Sequence, residues 1–171
     1  NYGTNYILSD SSDYVVIEAD EFDRSFHWLS PWMSVITATD PDHLDIYGTK
    51  EAYLESFRHY TTLIQEGGAL IIHKDLEMKA DVRPGVKVYE YSLNKGDFHA
   101  ENIKIHNGEI TFDFLSPIES IPDVVLGQPV PINIENGIAA MAMAQLNGCT
   151  ANEIKYGMKT YHGVDRRFDF K

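Results

Sequence analysis

Four short apolar runs punctuate the first half of the chain: "YVVIEA" (14–19), "MSVITAT" (33–39), "ALIIHK" (69–74) and "VKVYEY" (86–91). Each is of strand length and bounded by polar residues, the pattern of strands buried on both faces of a parallel sheet. Between the second and third runs, "TKEAYLESFRHYTTLIQEGG" places Leu54, Phe57, Thr61 and Ile64 on one helical face, with Gly67-Gly68 as the stop. Strand, helix and strand predict a βαβ unit with a right-handed crossover. From about residue 97 the period changes to two. "FHAENIKIHNGEITFDFLS" alternates around Asn107-Gly108, a strong hairpin signal, and predicts a small antiparallel sheet reaching Val125. Two helices close the pattern. The first covers 133–147 and ends at Gly148. The second starts at Thr150, where "TANE" forms a capping box with Glu153 and Ile154, Met158 and Tyr161 give the apolar face. The predicted class is α/β: a mostly parallel sheet flanked by helices, with a small antiparallel β subsheet.

Composition narrows the partners. With 171 residues and 43% hydrophobic content the chain is one domain's worth and has material for a core. A formal net charge of −12 argues against a nucleic-acid or anionic-membrane surface, either of which wants a basic face. Cys149 is the single cysteine, so no intrachain disulfide forms. No apolar stretch approaches the roughly 20 residues of a membrane span.

Two polar clusters follow predicted strands, where ligands bind in open α/β sheets. "EADEFD" (18–23) follows the first and "TDPDHLD" (39–45) the second. If those strands are neighbours, Glu18 and His43 face one crevice. A carboxylate and an imidazole suit a divalent cation that keeps water and phosphate oxygens as its other ligands. The alternative is a solvated acidic loop beside a hydrogen-bonded surface histidine. Asn133 and Asn136 stand three apart on a first helical turn. Their carboxamides match an adenine edge, or Asn133 is a helix cap with Asn136 exposed beside it. Arg166 and Arg167 form either a phosphate clamp or surface ion pairs. Phe57 reads as core and Cys149 as structural or exposed; no nucleophile and base are paired.

Taken in order, "GTNY", "VVIEADEFDRSF", "TATDPDHLDIYGT", "NIENGIAAMA" and "GVDRRFDF" resemble the Mur ligase family, in particular its alanine-adding branch. The likeness spans nearly the whole chain. It implies the family's phosphate-loop NTPase-like central domain, here residues 1–163, with 164–171 starting a linker to a further domain. It also implies ATP and Mg²⁺ as cofactors. Glu18 and His43 match the family's ligands for one Mg²⁺, with Asp42 supporting His43. Asn133 and Asn136 match the asparagines that hold adenine, and Arg167 matches an arginine that reaches the ATP phosphates. Thr4 and Asn5 match a loop near the UDP-sugar substrate. His43 and Arg167 are thereby the catalytic residues expected here.

The implied reaction joins L-alanine to UDP-N-acetylmuramate through an acyl phosphate, in peptidoglycan synthesis in the bacterial cytoplasm. Three departures stand out. Ile132 replaces the family's histidine before the first asparagine. Phe57 stands where several members carry a modified lysine, as expected for the alanine-adding branch. The family's "GTHGKT"-type phosphate loop does not occur in these residues, so the chain is expected to be part of a longer ligase and inactive alone. Rival readings are a sibling ligase adding another amino acid or a peptide, a non-catalytic nucleotide-binding module and, ranked low, a metal-dependent hydrolase.

Overall fold

A computed structural model of the chain describes residues 9–163. Strands β1 (Met33–Ile36), β2 (Ala69–His73) and β3 (Lys87–Tyr91) pair in parallel in the order β1-β2-β3. Helices α1 (Leu44–Tyr47) and α2 (Lys50–Thr61) lie in the connection from β1 to β2. The short α1 was not expected from the sequence. Thr49 starts α2 by accepting a hydrogen bond from the Ala52 amide at 3.1 Å, an N-cap worth roughly 1 kcal/mol.

Strand β2 alternates between two cores, because successive side chains of a strand point to opposite faces. Leu70 and Ile72 pack with Phe57, Tyr60 and Ile64 of the α2 side. Ile71 packs on the other face with Ile138, Met141 and Ala142. Full burial of each such side chain stabilises by about 1.5–3 kcal/mol, which explains why so short a run holds its place. Strand β3 is more exposed than its apolar pattern implies, since it lies at the edge of this sheet.

Strands β4 (His99–His106), β5 (Glu109–Leu115) and β6 (Ile121–Leu126) form the antiparallel sheet. His106 pairs with Glu109, leaving the expected two-residue turn. Asn107 and Gly108 both have positive φ, 51° and 76°, as a type I′ hairpin requires. Helices α3 (Ile132–Leu146) and α4 (Ala151–Thr160) then cover both sheets. The capping box at Thr150 and Glu153 is present in both directions.

One strand expectation fails. Residues 14–19 are extended but form no strand, and Val16 is 95% exposed. A strand is held by ladder bonds and a covered face. Among the described residues the parallel sheet ends at β1, so this run has neither.

Candidate functional site

Helices α3 and α4, with Leu126 at the end of β6, line a cavity of about 450 Å³, within the range of small-molecule sites. Its walls are mostly apolar, with Leu126, Met141, Ile154 and Met158 among them, and Asn133 and Asn136 supply carboxamides. Two features shape it. At Gly127 the end of β6 approaches the end of α4 so closely that an added Cβ would lie 2.4 Å from the carbonyl oxygens of Lys159 and Tyr161. Small residues on the facing helices, Gly137, Ala140 and Gly157, keep the slot open. The sequence shows those small residues, but nothing in their spacing alone announces a pocket.

The two asparagines do not cap the helix. Pro131 occupies that position and makes no side-chain cap. The Asn133 backbone amide donates to the Val130 carbonyl at 2.8 Å, and its side chain makes one long bond, 3.4 Å, to the Gln128 carbonyl. Both residues therefore sit inside the first turn as pocket-lining groups. Ile132, just before them, is 53% exposed.

The 18–24 and 39–47 segments touch one another through side chains. The Phe22 ring meets the His43 ring edge-on at 4.9 Å, and the Tyr47 hydroxyl donates to the Glu21 carbonyl. The Arg24 guanidinium lies 4.9 Å from the centre of the Tyr47 ring, a cation–π contact that ties the two segments. His43 itself is held with φ 53°, a left-handed conformation uncommon outside glycine, and its amide donates to Asp42 Oδ1 at 2.7 Å. Acids dominate the local field. Burial, then the charge of Glu21, with Asp42 and Asp40 adding to it, pushes the Tyr53 hydroxyl up to about 12. Glu18 is exposed at the start of this region. Among the described residues no three His, Cys, Asp or Glu side chains converge as a ready ligand set. One carboxylate from Glu18 and one imidazole from His43 are donors that suit an ion keeping several waters better than one needing a closed protein shell.

Phe57 is core, packed against Phe26 and Tyr53 at ring distances of 5.3 and 5.0 Å. Cys149 is exposed at the pocket wall. Thr4, Asn5, Arg166 and Arg167 lie outside the described residues.

The described residues define an α/β class of domain: a parallel sheet and an antiparallel sheet covered by helices, with a pocket lined by the last two helices. Solved structures share the architecture. MurF from Acinetobacter baumannii superposes with a TM-score of 0.71 at 21% identity, over 88% of this chain and 33% of that one. UDP-N-acetylmuramate-alanine ligase MurC from Thermotoga maritima gives 0.70 at 21% identity, over 88% and 34%. The family described as Mur ligase middle domain matches residues 4–144, and the chain belongs to it.

Curated relatives sharpen the likeness. A protein named UDP-N-acetylmuramate–L-alanine ligase from Phocaeicola vulgatus is 71% identical over 171 residues, covering 100% of this chain and 37% of the relative. One of the same name from Parabacteroides distasonis is 59% identical, covering 99% and 37%. The chain thus spans little more than a third of the length of these relatives.

Proposed function

We propose that the chain is the middle-domain portion of an ATP-dependent ligase that joins L-alanine to UDP-N-acetylmuramate in peptidoglycan synthesis. The observation that carries this is the 71% identity, over the chain's whole length, to a relative bearing that name. The pocket supports an adenine role for Asn133 and Asn136: a mostly apolar pocket with two carboxamides in its lining can bury a base and read its edge.

The chemistry has one dominant physical problem. The substrate carboxylate must attack the γ-phosphate of ATP, anion on anion, with ADP leaving. The alanine amine then attacks the activated carbonyl, phosphate leaves, and the amine's proton passes to solvent. Cationic groups must offset that repulsion. A Mg²⁺ ion held by Glu18 and His43 would supply Lewis-acid charge neutralisation at the crevice. Asp42 fixes the His43 backbone through the bond already described, and Arg167 is assigned to the phosphates. Thr4 and Asn5 are assigned to the UDP-sugar side. We place residues 1–163 in the ATP-binding domain and 164–171 in a linker, and the site of action in the bacterial cytoplasm. Among the described residues no helix is long and apolar enough to cross a membrane.

The test is a coupled assay of ADP and phosphate release by the full-length protein with UDP-N-acetylmuramate. Turnover is expected with L-alanine. Turnover only with another amino acid or a peptide would overturn the choice of branch, and no turnover with any of them would overturn the enzymatic reading.

A further inference from the structure

Glu135 lies between the two pocket asparagines in sequence, yet it points the other way. Its Oε1 accepts a hydrogen bond from the Leu93 amide at 2.8 Å, two residues past the end of β3. The same oxygen lies 3.4 Å from Nε2 of His73, the last residue of β2. The imidazole's hydrogen is assigned by its second contact. The Asp75 amide donates to Nδ1 at 3.3 Å, so Nδ1 accepts and Nε2 is left to donate to the carboxylate. The His73 ring is braced edge-on by Tyr91 at 5.2 Å. One carboxylate oxygen thus gathers donors from the carboxyl ends of two neighbouring parallel strands and belongs to the first turn of α3. A negative charge there is also favourable to the helix dipole.

That turn needs such an anchor. Pro131 gives it no side-chain cap, and the Asn133 side chain makes a long bond, 3.4 Å, to the Gln128 carbonyl. We propose that Glu135 is a positioning residue. It fixes the first turn of α3, and with it Asn133 and Asn136, to the ends of β2 and β3, so that the base pocket and the strand-end crevice hold one nucleotide in a single register. This rests on the reading of Asn133 and Asn136 as base contacts. Glu135 touches neither base nor phosphate and acts through the asparagines. His73 is the second half of the latch.

The experiment uses the full-length enzyme, with KM for ATP, kcat, the ratio of kcat/KM for ATP over GTP, and the thermal midpoint as readouts. Glu135→Ala is expected to raise KM for ATP roughly tenfold, the effect of losing one charge-assisted positioning contact. It should lower kcat less than that and reduce the preference for ATP over GTP. Glu135→Gln keeps an oxygen acceptor in place and should restore both KM and preference to near the parent values. His73→Ala removes one donor of two and should raise KM by about threefold, a smaller loss of the same kind; it serves if Glu135→Ala does not fold. A parental KM and preference in both Glu135→Ala and His73→Ala would overturn the proposal. So would a loss that tracks only a lowered thermal midpoint and is not rescued by Glu135→Gln. Asn136→Ala separates the two levels. If it too leaves KM and base preference unchanged, the base reading falls and the latch falls with it. If it alone changes them, only the latch is refuted.

Discussion

Replacing Asp113 with alanine tests what keeps the small sheet in shape beside the pocket lined by α3 and α4. Its Oδ2 accepts from Asn102 Nδ2 at 2.7 Å, and its Oδ1 from the Asp123 amide at 2.8 Å. Both partners sit at φ 51°, and the β4·β5 and β5·β6 ladders each slip register around this carboxylate. The side chain therefore pins two irregular strands to the one between them, and β6 runs on to Leu126 in the pocket wall. Hydrogen bonds to a charged group contribute roughly 1.5–3 kcal/mol each, but near solvent water competes for them, so about 1–2 kcal/mol is expected for the pair. That corresponds to a fall of about 3–6 °C in thermal midpoint for a chain of this size.

Circular dichroism melts at several pH values make the assay. The Asn102 side chain first, and the Asp123 amide next, hold the Asp113 carboxyl below its ordinary value. Its folded-state affinity for protons is therefore lower than in the unfolded chain. The stabilisation is complete above the unfolded carboxylate value of about 3.9 and is lost as pH falls through the lower folded value. Parent and Asp113→Ala melts should differ at pH 7 and converge in acid, with Asp113→Asn between them. Equal midpoints at pH 7, or a gap that persists unchanged in acid, would refute the reasoning.

Gly127→Ala should cost about 2–3 kcal/mol, because the new methyl meets backbone oxygens that cannot rotate away. Gly157→Ala, where an added Cβ meets nothing within 4 Å, should stabilise α4 by up to about 1 kcal/mol; chemical denaturation of both variants checks the contrast. In the full-length enzyme, Glu18→Ala and His43→Ala should each lower kcat by about 100-fold or more with the melting point retained, and parental rates at ordinary Mg²⁺ would remove the metal assignment. Burial holds the His27 imidazole below its ordinary value, against the bond to the Ser56 carbonyl. Its stabilisation is therefore present above the unfolded value of about 6.5 and is lost as pH falls toward the folded one. His27→Gln should flatten the pH dependence of unfolding in that window.

Periodicity made the central βαβ unit, the hairpin and both closing helices legible, because each is set by local spacing and by turn or cap residues such as Asn107-Gly108 and Thr150. The 14–19 run departs from its pattern for a physical reason. Its apolar content signals burial, but burial depends on a neighbour that sequence order does not reveal. The site was legible only as residue types. Asn133 and Asn136 stand out as a pair, but whether they cap a helix or line a pocket depends on Pro131 taking the cap position and on α4 packing opposite them. The Glu135–His73 contact joins residues 62 positions apart and leaves no periodic trace.

Strand β2 has a further consequence, in time rather than in energy. Its alternate residues belong to different cores, so neither core consolidates before this one strand has been placed. Its pairings to β1 and β3 are parallel and span long stretches of chain, so their loop-closure entropy must be met before the contacts form. The amides of Leu70, Ile71 and Ile72 are therefore the natural candidates for the slowest hydrogen exchange in the domain. They would open only when both cores open together, which makes the two halves of this chain one cooperative unit.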